Sequence, residues 1–411
     1  NSSGTNGPGS TDVTGNIGYV KINADGTLRK PATCAGTYYG SWCVDAANKI
    51  NGDNGVAAAG VTTFNGRIYV IGGFDGGSNT NSILRNDVND DGSLAGVWAQ
   101  QSLTGVGATS VAYTYAYARA NPSSAATNPG NLYIFGGCTS VDNGAGCGGT
   151  YSNSTYKCNI QTSGAIAGCS TAGQLTIDSD PDTAGNQGVG IHSGTVYANY
   201  IYLIGGFSNT ESDKDTVMYA KFDNNNNVVA ASGPTWTESP NKLSIGRRRG
   251  FAFGYNGYLY SVGGFNADGG GSIIPDIEFA KVNVSDGSIS AFAKSAVTIN
   301  QRWGLTVAVS NSYAYIIGGC NVGNSPSNCT SFEPSLQTFQ LYNNDSGATA
   351  GYSTSANQFA NDRLGTGSAI INGKIYIAGG CRDVSDLCTD AVSDVQYATL
   401  DSYGNIGPWA T

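Results

Sequence analysis

Histidine is almost missing from this chain: His192 is the only one in 411 residues. A Ser-His-Asp triad would have to use that residue, which falls in an expected strand over 189–196, where a structural histidine is the better reading. Glutamate is scarce too, at Glu211, Glu238, Glu278 and Glu333, in different repeats and without a shared motif. A carboxylate pair for glycoside hydrolysis would have to draw on aspartates, and sequence spacing cannot show one. Charged residues make up 12%, the net charge is −9, and the only basic run is Arg247-Arg248-Arg249. That excludes non-specific nucleic-acid binding, which needs a basic surface. Long apolar runs and a signal peptide are also lacking, so membrane attachment would need a segment not present here. The chain starts at Asn1 rather than Met, which reads as a mature or truncated form.

What the chain has in abundance is glycine, at 60 residues, and six copies of one pattern: a short apolar run, an aromatic, then a glycine pair. The pairs are Gly72-Gly73, Gly136-Gly137, Gly205-Gly206, Gly263-Gly264, Gly318-Gly319 and Gly379-Gly380. Their first glycines are 64, 69, 58, 55 and 61 residues apart, the mark of a repeat architecture. Each apolar run is nearly continuous, as in a strand covered on both faces. Ahead of it stands a second strand, joined by a tight turn such as Asn65-Gly66, Asn256-Gly257 or Asn372-Gly373. Behind the glycines comes another hairpin with a polar turn, and its last strand is expected to end on Trp98, Trp236 or Trp409 in three copies. One repeat is thus four antiparallel strands, a to d. Such sheets cover their faces by stacking radially.

The glycine pair, the aromatic before it, the Trp of strand d and the Arg before strand a together resemble the Kelch β-propeller family. The resemblance covers residues 17–411, and the expected fold is an all-β Kelch-like propeller of six full repeats. An extra amino-terminal c–d hairpin, Ile17 to Leu28, makes the expectation six blades, or seven with one incomplete. Residues 1–16 read as a flexible arm and 17–411 as a single domain. Some members of the family are copper radical oxidases, but a site of histidines and tyrosines cannot be assembled here, and no cofactor is implied. The glycine pairs open no helix and read as crowding between blades, not as phosphate cradles.

The 10 cysteines fall into five close pairs: Cys34–Cys43, Cys138–Cys147, Cys158–Cys169, Cys320–Cys329 and Cys381–Cys388. Their even number and local spacing point to disulfides rather than zinc, and so to a secreted or cell-surface protein. All five are expected at the sheet edge where the b–c and d–a loops emerge. Long stapled loops on a rigid scaffold are where binding function sits. At that edge, Arg247, Arg302 and Arg363 each stand nine residues before the asparagine of the a–b turn and 16 before the first glycine of a pair; counted from the turn, Val56 and Gly190 take that place in repeats one and three. They are candidate ligand-binding residues for a carboxylate, a sulfate or an acidic side chain. The competing reading is that they bond to loop carbonyls, as in the Kelch family. The run Asp87 to Gly92 resembles the start of a calcium loop, but Trp98 replaces its closing Glu, so it reads as a hairpin turn. The function read from these features is a non-catalytic extracellular binding or adhesion module for a protein or glycan. The alternatives are a structural subunit that self-assembles through the amino-terminal hairpin, and a secreted carbohydrate-active enzyme.

Overall fold

The structure is a computed structural model. It describes residues 17–410 except 24–26, 30–36, 40–41, 46–55, 57, 75–78, 90–93, 126, 143–145, 148–149, 176–187, 209–211, 230–234, 269–270, 324–328, 330, 342–348, 361 and 383–394. Apart from one short 3-10 turn at Thr104–Val106, every regular element among these residues is a β-strand.

Six antiparallel sheets follow the repeats, and the fold is a six-bladed β-propeller. Blade one joins strands 1a (Gly60–Phe64), 1b (Arg67–Ile71), 1c (Ile83–Asp87) and 1d (Ala99–Gln101). Blade two has 2a (Tyr115–Ala125), 2b (Asn128–Phe135), 2c (Ser154–Ile160) and 2d (Ile166–Gln174). Its a–b insertion simply lengthens the hairpin, which closes at Ala125 opposite Asn128. Blade three has 3a (Ser193–Tyr197), 3b (Tyr200–Ile204), 3c (Val217–Phe222) and a fourth strand in two pieces, Val228–Val229 and Thr237–Glu238. Blade four has 4a (Phe251–Tyr255), 4b (Tyr258–Val262), 4c (Asp276–Lys281) and 4d (Ala293–Thr298). Blade five has 5a (Thr306–Ser310), 5b (Tyr313–Ile317), 5c (Gln337–Leu341) and 5d (Thr349–Thr354). Blade six has 6a (Gly367–Ile371), 6b (Lys374–Ala378) and 6c (Val395–Thr399), with Ala410 bridging Tyr397 in place of a fourth strand.

Two compact units share the chain: residues 2–191 with 220–237, and residues 192–219 with 238–411. In the first, Tyr69, Ile71, Leu103, Leu132, Ile134 and Ile160 form the core. In the second, Tyr260, Val262, Ile277, Ile316 and Phe339 form one cluster, and Tyr315, Ile317, Ile375 and Ile377 another. Strands 3b and 4b are buried at every position, as their unbroken apolar runs predict. Each such side chain contributes roughly 1.5–3 kcal/mol by leaving water.

The repeated tyrosine does more than fill space. Tyr69 donates its hydroxyl to the Gly164 carbonyl (3.0 Å) and Tyr133 to that of Asn226 (2.5 Å). In the second unit Tyr202 donates to the Gly287 carbonyl at 2.9 Å. In each case the acceptor sits in the c–d turn of the following blade, so one side chain both fills the core and ties two sheets. Burial raises the Tyr69 phenol, pushes those of Tyr133 and Tyr202 well above their usual range, and takes Tyr315 up to about 12.

Several expectations need correcting. Only the tip of the amino-terminal hairpin forms as expected, with Lys21–Ile22 paired to Leu28–Arg29. Ile17–Tyr19 instead pairs with Trp42–Asp45, which also pairs with Thr37–Tyr39. Trp98 and Trp236 stand just before the last paired strand of their blades, not at its end, and Trp409 precedes the Ala410 bridge. His192 lies just outside strand 3a, which begins at Ser193. Cys158 and Cys169 face each other inside the 2c–2d hairpin rather than at the loop edge. A spacing of 11 residues fits a cross-strand pair around a turn as well as it fits a loop staple.

Candidate functional site

Glycine pairs set the geometry of the loop edge. In the second unit, the N–H groups of Gly206, Gly264 and Gly319 donate to the carbonyls of Arg247, Arg302 and Arg363 at 2.8, 2.9 and 2.8 Å. In the first unit, Gly73 and Gly137 donate in the same way to Val111 and Val189, at 2.9 and 2.8 Å. Each pair thus bonds the backbone just ahead of strand a in the next blade. The first glycine of each pair has φ between 57° and 65°, and at Gly72, Gly205, Gly263 and Gly318 there is no room for a side chain. A Cβ on Gly263 would lie 2.7 Å from the Arg302 carbonyl oxygen, and one on Gly318 would overlap that of Arg363. The position equivalent to the arginines in blade three is therefore Val189, one residue before Gly190, because the a–b turn there is Ala198-Asn199.

The three registered arginines point their donors into the protein. Arg302 is fully buried, and its guanidinium donates to the carbonyls of Asn300 (3.1 Å), Gly318 (3.2 Å) and Ser335 (3.0 Å) and to Gln337 Oε1 (2.7 Å). Arg363, also buried, donates to the carbonyls of Gly379 (3.1 Å) and Ala360 (2.8 Å). Arg247 donates to the Gly263 carbonyl at 3.1 Å and pairs with the buried Glu278 carboxylate. Each arginine therefore caps the first glycine of its own blade. Burial lowers Arg302 to about 10, against the pull of Glu333.

Sequence reasoning missed the strand-c partners. Glu278, Gln337 and Gln396 stand opposite Ser261, Ile316 and Ile377, each two residues before a glycine pair. They accept from the backbone N–H groups of Ser244 (2.8 Å), Asn300 (3.0 Å) and Ala360 (2.8 Å), so they also pin the d–a loops. At the same place blade one has Leu84 and blade two has Tyr156. Their strut positions hold Val56 and Val111. Blades four, five and six pair an arginine with a Glu or Gln where blades one and two have an apolar pair, and that covariation among the repeats was the available signal.

Beyond the struts, the b–c loops build small ribbons of their own. Phe265–Asn266 pairs with Ser272–Ile273, and Cys320–Val322 with Ser331–Phe332. The second ribbon carries the Cys320–Cys329 disulfide, with both sulfurs buried. In the first unit Val141–Asp142 pairs with Gly146–Cys147 in the same kind of loop. Cys138 and Cys381 are disulfide-bonded as well. The bridges at Cys34–Cys43 and the side chains of Cys147 and Cys388 fall outside the described residues.

The remaining arginines of the basic run stack on aromatics. Arg248 lies between Phe207 and Phe265, with its guanidinium carbon 4.1 and 5.7 Å from the ring centres. Arg249 lies 5.0 Å over the buried Trp303 ring. Arg248 Nε stands 3.3 Å from Asp213 Oδ1. Burial pushes the Asp213 carboxyl up to about 6, although the nearby arginines oppose it. Asp362 at the root of blade six is also raised by burial, while hydrogen bonds from Ser335 and Asn321 and the charge of Arg302 hold Glu333 down. Among the described residues, no group of three or more His, Cys, Asp or Glu side chains is placed to hold a metal ion.

The Kelch motif matches residues 56–85, which span the a and b strands of blade one. No curated protein matches the chain. Among solved structures, the "Structure of YjhT" aligns with a TM-score of 0.54 at 13% identity, covering 87% of this chain and 97% of that one. At that identity the likeness is one of fold. The glycine joints repeat from blade to blade, and the match in blade one agrees with them: the chain is a six-bladed β-propeller that carries a Kelch motif.

Proposed function

We propose that this protein is a non-catalytic extracellular binding module that recognises a protein or glycan through its b–c and d–a loops. The observation that carries this reading is the contrast between the two sheet edges. One edge has two-residue a–b turns in five of the six blades. The other carries loops folded into ribbons, at Phe265–Ile273 and at Cys320–Phe332, the second of them stapled by a disulfide. Ordering a loop before binding lowers the entropy cost of recognition. Kelch propellers generally bind proteins. The disulfides fit an oxidising, extracellular compartment, and no helix among the described residues is long and apolar enough to cross a membrane.

Arg247, Arg302 and Arg363 enter this reading as supports, since their donors are occupied by carbonyls and by Glu278 or Gln337. An anionic ligand would meet Arg248 and Arg249 first, because these are only partly buried. The test is a binding screen against arrayed glycans and extracellular proteins, run beside a variant whose 321–331 loop is replaced by a short turn. A ligand that the variant loses is the expected result. A ligand bound equally by both, or no ligand for either, would sink the reading.

A further inference from the structure

We infer that Asp213 and Asp268 form a proton-linked clasp joining the b–c loops of blades three and four, and that the clasp sets how firmly this part of the loop face is held. Its purpose rests on the binding reading above, but its test does not. The two loops exchange backbone-to-carboxylate hydrogen bonds. Asp268 Oδ2 accepts from the Asp213 N–H at 2.9 Å, and Asp213 Oδ2 accepts from the Ala267 N–H at 2.5 Å. The two aspartates differ in setting. Asp268 is exposed, whereas the Asp213 carboxyl is wholly buried, and its Oδ1 makes no hydrogen bond among the described residues.

The charged groups facing Asp213 are Arg248, Arg249 and Asp268. Burial and the Asp268 charge oppose ionisation, the two arginines and the Ala267 N–H favour it, and burial wins, leaving the carboxyl at about 6. Parting the loops returns Asp213 to water and to its ordinary value of 3.8. The closed clasp therefore binds a proton more tightly than the open one, and closing takes one up. The clasp is firmest below pH 3.8 and loosens as pH rises through about 6. The full change in its closing equilibrium is about 100-fold. The direction is opposite to that of a salt bridge, which acid would break.

Hydrogen–deuterium exchange on the full chain at pH 4.5 and 7.5, corrected for intrinsic exchange, reads the clasp without any ligand. Peptides covering 205–216 and 264–275 are expected to lose protection at the higher pH by tens of fold, while strands 5b and 6b hold theirs. Asp213→Asn should make both loops indifferent to pH. Asp268→Asn should move the wild-type midpoint to lower pH by removing the like charge. Equal protection at both pH values, or a pH dependence that survives in Asp213→Asn, would overturn the inference. Should Asp213→Asn fail to fold, an unmoved midpoint in Asp268→Asn overturns it alone. A failed ligand screen leaves this measurement standing, and a flat exchange profile leaves the binding reading standing.

Discussion

Arg302 shows how much one side chain can carry. Its donors serve the carbonyls of Asn300, Gly318 and Ser335 and the amide oxygen of Gln337. Arg302→Met leaves these acceptors without donors, and a loss of about 3 kcal/mol in denaturant unfolding is expected. Arg302→Lys should recover little of it, because a single ammonium cannot reproduce a planar fork. Asp213 gives a pH-dependent counterpart. Its folded value, about 6, lies above the ordinary 3.8, so its contribution is fully present below pH 3.8 and is lost as pH rises through about 6. Asp213→Asn should therefore gain about 2 kcal/mol on the wild type between pH 4 and 7.5, in paired melts. The arginine register was legible in the sequence, but its partners were not. Glu278 looked isolated among four scattered glutamates, and its likeness to Gln337 and Gln396 appears only when strand c is aligned to strand b.

Two kinds of glycine separate at the level of the strand. Gly373 sits in the 6a–6b turn with φ 70° and nothing near a Cβ, so Gly373→Ala should cost about 1 kcal/mol. Gly318 has a similar φ of 61°, but its Cβ would overlap the Arg363 carbonyl. Gly318→Ala is expected to cost at least about 3 kcal/mol, or to leave no folded protein, and thermal melts of the two variants side by side check the contrast. Tyr202→Phe, which keeps the ring and loses the 2.9 Å bond to the Gly287 carbonyl, should cost about 1 kcal/mol. Strands a and b were readable because turn chemistry and unbroken apolar runs coincide in them. The bounds of strand d were not, since a strand such as Ala293–Thr298 is mostly exposed and has no apolar face to mark its ends. The Cys158–Cys169 bridge was misplaced for a related reason. Loop staples and hairpin staples share the same sequence spacing, and only the 2c–2d register tells them apart.

For the molecule as a whole, the disulfides add to sheets already paired by backbone hydrogen bonds. Replacing Cys158 and Cys169 by alanine together should cost roughly 2–3 kcal/mol and leave a cooperative transition at lower temperature. Collapse to an unfolded chain would show that the sheets depend on the bridge. Function was less legible than fold, because one scaffold hosts many activities. The joints between blades have a wider consequence. Gly73, Gly137, Gly206, Gly264 and Gly319 all dock on main-chain oxygens, whether the residue supplying the oxygen is Val or Arg. This joint is indifferent to side-chain identity, so the residue ahead of strand a can change without a matching change in the glycine pair that docks on it. Such a chain can lengthen and rewrite its loops while the frame beneath them stays the same.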